Sequence, residues 1–187
     1  MGMIDFGILY PLFLVPLGIT GAANAVNMLA GFNGLEVGMG IVAVGSLAII
    51  AYLIGQTTSL IILMAALGAL VATLRYNWYP AKIFIGDVGT LSIGAVIACA
   101  VIVGNYETAG VIIIIPYLVD FLIKAKNRFP YSFGNYRDGK LYCPDGRAVG
   151  LAQLIMKVYG GISERNLVLV LMGIEAVFGV IAILLYV

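Results

Sequence analysis

The sequence predicts an all-α, polytopic membrane protein with about six membrane-crossing helices and one amphipathic helix at the interface. Three observations carry that expectation. Hydrophobic residues make up 63% of the chain and charged residues only 10%, where a soluble domain has roughly a quarter charged, and the mean hydropathy is +1.10. The apolar residues gather into six segments, Ile8–Val26, Val37–Ile54, Ser59–Leu74, Leu91–Gly104, Ala109–Ile123 and Leu167–Val187. Finally, counting passes places all ten Lys and Arg residues on one side of the bilayer. The positive-inside bias makes that side cytoplasmic, whether in a cell membrane or an endoplasmic-reticulum equivalent.

A crossing takes ~20 apolar residues at ~1.5 Å each, so the two shortest segments must borrow flanking residues. The connections Gly55–Thr58 and Asn105–Thr108 carry no positive charge, whereas Arg75, Lys82 and the eight basic residues from Lys124 to Arg165 all share the other face. No basic stretch precedes the first apolar run, so it does not read as a cleaved signal peptide. A net charge of +1 gives no reason to expect nucleic acid, since the basic residues are accounted for by topology. With no histidine, and with Cys99 in a span and Cys143 in a loop, neither a disulfide nor a structural zinc site is expected.

Three polar loops converge on the basic face. The first runs Asn24-Ala-Val-Asn27-Met-Leu-Ala-Gly31-Phe-Asn33-Gly34-Leu35-Glu36. Its asparagines offer both a carbonyl acceptor and an amide donor, able to read a nucleobase edge or lend an oxygen to a hard cation. Helix capping and turn formation explain Asn and Gly equally well. Asn24 and Asn27 are harder to dismiss, because they occupy the last turn of a span, where polar groups are costly.

The second loop, Asn77 to Thr90, sets a carboxylate, Asp87, between Gly86 and Gly89 just before an apolar run. An N-cap is one reading of Asp87 and a metal ligand is another. Lys82 and Phe84 lie on the same face, Lys82 also suiting a snorkelling interface anchor. The third loop, Lys124–Asn166, holds the aromatic run Phe129-Pro-Tyr-Ser-Phe-Gly. Within it, Ala148–Tyr159 spaces Leu151, Leu154, Ile155 and Val158 as an amphipathic helix, with Gln153 and Lys157 on the opposite face. Arg147 is singled out as an anion or sugar contact. Asp120 and Lys124 are spaced for an i,i+4 pair, and Glu175 is expected to face the bundle interior or another chain. This inventory suits a phosphorylated, Mg²⁺-bound ligand. It does not suit acyl transfer, because no histidine is present to activate a serine.

The first loop, followed by Pro80-Ala-Lys-Ile-Phe84-Ile-Gly-Asp87-Val-Gly-Thr, resembles the polyprenyl-phosphate N-acetylhexosamine-1-phosphate transferases, glycosyltransferase family 4. The spelling Ala30-Gly31 and Asn33-Gly34-Leu35-Glu36 looks like the family's dolichol branch, since the bacterial branch places aspartates at positions 30 and 33. The resemblance implies attack by a lipid phosphate on a UDP-N-acetylhexosamine, releasing UMP. It also implies that Asn27 and Asp87 hold Mg²⁺ (or Mn²⁺) and count with Lys82 as catalytic residues. Asn33 and the Gly31 backbone would read uracil, Phe84 would stack on it, and Glu36, Asn24 and Arg147 would contact substrate.

Two departures qualify these implications. The family carries a basic cluster, often with histidine, where this chain has Cys143-Pro-Asp-Gly-Arg147. The chain also matches only the last six of about ten spans, as one membrane domain over residues 1–187, and contains no adjacent acidic pair. An N-terminal half or a second copy of the chain is therefore an expected partner, beside the UDP-sugar, the polyprenyl or dolichyl phosphate and membrane lipid. Two other readings remain: a half-enzyme subunit that binds without turnover, and a transporter. The transporter is disfavoured because the polar residues cluster at one interface and no internal repeat is seen.

Overall fold

The computed structural model describes residues 7–187. Helix α1 (Val15–Met28) continues from a wider π-helical turn over Tyr10–Leu14, and α2 (Leu35–Leu53), α3 (Thr57–Asn77), α4 (Gly86–Val103) and α5 (Glu107–Lys126) follow. A two-stranded hairpin of β1 (Asn135–Arg137) and β2 (Lys140–Tyr142), a short helix α6 (Leu151–Tyr159) and a final helix α7 (Glu164–Leu184) complete the chain. Six of these helices, counting α1 from Tyr10, are long and apolar enough to cross a membrane. Each of the six predicted segments contains the body of one of them. The protein is an integral, multi-pass membrane protein.

The helices run past the apolar segments that announce them. α4 begins at Gly86 rather than near Leu91, and α5 spans 20 residues from Glu107 to Lys126. The flanking polar residues therefore supply the length that the shortest segments lack. Basic residues close the cytoplasm-assigned ends, with Arg75 in the last turn of α3 and Lys124 and Lys126 in that of α5, where they meet the negative end of the helix dipole. At the start of α7, the Ser163 hydroxyl accepts a bond from the Asn166 N–H at 3.3 Å, an N-cap that fixes where the last helix begins.

The helices pack as a closed ring in which α1 meets α4, α4 meets α3, α3 meets α2, α2 meets α7, α7 meets α5 and α5 returns to α1. α2 also touches α4 and α5, so its Leu35, Met39, Leu47 and Ile50 are fully buried against Leu63, Ile97, Ile113 and Leu171 from four other helices. α1 crosses α4 with the two backbones in close approach. A Cβ added at Gly94 would lie 2.4 Å from the Ala22 carbonyl oxygen, so only glycine lets these two backbones approach so nearly, the usual device where lipid supplies no hydrophobic drive between helices.

α6 corrects one expectation. It is amphipathic, but its buried face is Leu151, Ala152, Ile155 and Met156, while Leu154 and Val158 are exposed. Gln153, expected outside, is buried, donating from Nε2 to the Phe133 carbonyl at 2.8 Å and accepting at Oε1 from the Val149 N–H at 3.0 Å. α6 is thus docked on the protein, against α5, α7 and β2.

Candidate active site

The connectivity brings three connections to one end of the ring: residues 29–34, 78–85 and 127–163. Between them lies a cavity of about 550 Å³, within the range of small-molecule sites.

Asn27, in the last turn of α1, donates from Nδ2 to the Thr90 hydroxyl at 2.9 Å. That hydroxyl reaches the carbonyls of Gly86 and Asp87 at 3.2 and 3.1 Å. Thr90 is one helical turn beyond Asp87, on the same face of α4. Asn27 and Asp87, 60 positions apart in the chain, are thereby joined through a single side chain, and both line the cavity. Asp87 sits in the first turn of α4, where no side-chain cap is made, and its carboxylate has no hydrogen-bond partner among the described residues. The N-cap reading of Asp87 is corrected accordingly: the carboxylate is left open to the cavity.

Glu36 enters from the first turn of α2. Its Oε1 accepts the Gly31 N–H at 2.6 Å, bending the loop back over the helix, while its Oε2 is buried with no partner among the described residues. Gly31 adopts φ of 105° and packs so closely on Phe133 that an added Cβ would lie 2.7 Å from that ring. Phe84, about half exposed, lines the cavity together with the aromatic run of the third loop. Phe133 stacks on Tyr131, with centroids 6.3 Å apart, and meets Phe32 edge-on.

Asn27, Gly31, Glu36, Phe84 and Asp87 are therefore brought together. The other nominated residues are not. Asn33 is fully engaged elsewhere: its N–H and Nδ2 both donate to Glu164 Oε1, and its Oδ1 accepts the Ala81 N–H at 2.7 Å. It fastens the first loop to the second and to α7, and lies outside the cavity lining. Asn24, expected in the last turn of a span, does lie near the end of α1. It is exposed on the flank of α1, bonded to the Thr20 carbonyl at 2.8 Å, and lines a separate apolar cleft of about 580 Å³ between α1, α4 and α5. Lys82 is exposed and is not among the residues that line the cavity. Arg147 is also elsewhere, reaching Asn127 Oδ1 at 3.3 Å.

Sequence reasoning missed Thr90, the Phe129–Phe133 wall and Lys124 as cavity-lining residues. The i,i+4 pairing of Asp120 with Lys124 is present as a buried ion pair at 2.8 Å. The Lys124 ammonium also donates to the Met28 carbonyl, and Asp120 Oδ1 accepts the Leu151 N–H at 2.7 Å. The spacing of Asp87 and Thr90 at i,i+3 was a readable signal. Nothing in the sequence pointed Lys124 toward α1.

As an ion site the cavity offers one open carboxylate, on Asp87, and the Oδ1 of Asn27, whose amide nitrogen is already bonded to Thr90. No group of three or more His, Cys, Asp or Glu that could hold a metal occurs among the described residues. A pair of hard oxygens without a protein cage fits Mg²⁺, which keeps waters and shares substrate phosphates.

A profile for glycosyl transferase family 4 matches residues 1–105, more than half of the chain and the stretch that holds both loop motifs. The chain belongs to that family. Among curated family relatives, a protein of Saccharolobus solfataricus, provisionally named a UDP-N-acetylglucosamine–dolichyl-phosphate N-acetylglucosaminephosphotransferase, is 43% identical over 99% of this chain and 58% of its own length. Its counterpart in Sulfolobus acidocaldarius is 37% identical over 98% and 56%. A phospho-N-acetylmuramoyl-pentapeptide-transferase of Limosilactobacillus fermentum is 35% identical over 65% of this chain and 38% of its own length. The chain therefore spans a little under three-fifths of the archaeal family relatives it matches throughout.

Proposed function

We propose that this chain carries the nucleotide-sugar site of a membrane transferase. The enzyme moves N-acetylhexosamine-1-phosphate, GlcNAc-1-phosphate in the first instance, from a UDP-sugar to a polyprenyl or dolichyl phosphate at the cytoplasmic face. The observation that carries the reading is the joining of Asn27 to the Asp87 turn through Thr90, at the wall of a cavity edged by Phe84 and flanked by an apolar cleft. The names of the archaeal relatives supply the substrate class.

In this reading an oxygen of the lipid phosphate attacks the β-phosphorus of the UDP-sugar. A new O–P bond forms, the bond from that phosphorus to the bridging oxygen breaks, and UMP leaves with the electron pair. A phosphate monoester with a second pKa near ~6 is already largely anionic at pH 7, so the chain needs no strong base. Its task is positioning and charge stabilisation, as for phosphoryl transfer in general. Asp87 and Asn27 would hold Mg²⁺, which when bound neutralises charge on the diphosphate. Phe84 offers a ring face to the uracil, and the Glu36 carboxylate fixes the Gly31 turn beside it. The apolar cleft, which runs from Tyr10 and Glu107 at one end to Asn24 and Phe121 at the other, would seat the start of the lipid chain.

The test is UMP release from UDP-GlcNAc and a polyprenyl phosphate, assayed on this chain alone and again with the product of the open reading frame immediately upstream. Asp87→Asn should abolish Mg²⁺-dependent release. Retained turnover would remove Asp87 from the ion site. The chain spans 58% and 56% of the two archaeal relatives, and a second reading is that it binds donor and gains turnover only when a further segment is supplied. Release solely in the combined assay would select it.

A further inference from the structure

We propose that Lys124 is the cation that grips the donor's diphosphate, with Asp120 as the residue that positions it; this rests on the nucleotide-sugar reading above. The cavity is lined by two carboxylates, Glu36 and Asp87, and must accept a polyanion. The one basic residue that lines it is Lys124, while the two cations expected from the sequence, Lys82 and Arg147, lie elsewhere.

The bonding of Lys124 fits that task. Its side chain is almost wholly buried, and an ammonium carries three N–H donors. The ammonium forms an ion pair with Asp120 Oδ2 at 2.8 Å and donates a hydrogen bond to the Met28 carbonyl. Met28 supplies its one hydrogen-bond acceptor among the described residues, and a buried charged donor left unsatisfied is costly. A phosphate oxygen in the adjoining cavity would complete the set with a charge-assisted bond.

The anchors also fix where the charge sits. Met28 directly follows Asn27, so the ammonium is tied to the same end of α1 that carries the proposed ion ligand. Asp120 is fully buried and uses its second oxygen to hold the Leu151 N–H at the start of α6. An ion pair serving only to staple α5 would not need to reach α1, α6 and the cavity together.

The experiment measures affinities of the purified protein for UDP and for uridine in the presence of Mg²⁺. Lys124→Gln should weaken UDP binding about tenfold or more, the scale of one lost bond to a charged group, and leave uridine unchanged. Lys124→Arg should recover most of the UDP affinity, and Asp120→Asn should lower UDP affinity while sparing uridine. Equal losses for both ligands, or no loss from a folded Lys124→Gln protein, would overturn the proposal. If that variant does not fold, acetylation of Lys124 in the unmodified protein, read by mass spectrometry, decides. Protection by UDP and not by uridine supports the assignment, and equal labelling overturns it. Failure of the unmodified protein to bind UDP would sink the donor reading itself and this proposal with it. UDP binding without dependence on Lys124 would sink only the proposal.

Discussion

Gly31 shows how much of the site depends on single atoms. Its φ of 105° is a conformation that side-chain-bearing residues avoid, and a Cβ there would lie 2.7 Å from Phe133. Gly31→Ala should therefore displace the Phe133 wall, at a backbone cost of roughly 1–2 kcal/mol. UDP affinity of the purified variant is expected to fall and its unfolding temperature to drop by a few degrees; unaltered affinity would show that the wall tolerates displacement. Five of the residues that line the cavity were legible in the sequence because they belong to two ordered motifs. Those misplaced failed for a common reason: direction and distant partners are not written locally. Asn33 is held by Glu164, 131 positions away, and Asn24 shares a helix with Asn27 but projects to a different side. Lys124 was correctly paired with Asp120, and that sufficient local explanation hid its second anchor on α1.

Among the elements, α1 and α4 matter most, because the bond from Asn27 to Thr90 spans them. Gly94 permits their contact. Gly94→Leu should push the helices apart, breaking that bond and weakening nucleotide binding and thermal stability together. Overpacking of this kind costs roughly 1–3 kcal/mol, and a variant that loses neither property would show that the crossing can shift without harm. The spans were readable from hydropathy, though their ends were not, since Gly86, Asp87 and Glu107 are polar or small yet helical. The third loop was read least well. Arg137-Asp-Gly-Lys140 forms a hairpin through a two-residue turn at Asp138 and Gly139, both with positive φ, and Asp-Gly is a strong hairpin signal. The face of α6 was misjudged because Leu154 and Val158 share its helical spacing with Leu151 and Ile155, and only the docking partners decide which pair turns inward.

Across the whole molecule, the interior is not uniformly apolar. Glu175, expected inside the bundle or at an interface with another chain, is completely buried within the protein, and neither of its oxygens has a partner among the described residues; the Tyr117 hydroxyl is in the same condition. An unpartnered polar group in such a place destabilises the fold. Glu175→Leu should consequently raise the unfolding temperature of the detergent-solubilised protein, by a stability gain on the order of 1 kcal/mol. A lowered temperature would mean that the carboxylate is satisfied in the working protein. The ring of helices separates two kinds of space: the polar cavity sits at one end, among the loops, and the apolar cleft runs along the flank beside α1. On the proposed reading, the water-borne and bilayer-borne reactants reach the reaction centre by perpendicular doors. Neither then blocks the other's entry, so initial-rate plots against both concentrations should show random rather than compulsory order of addition.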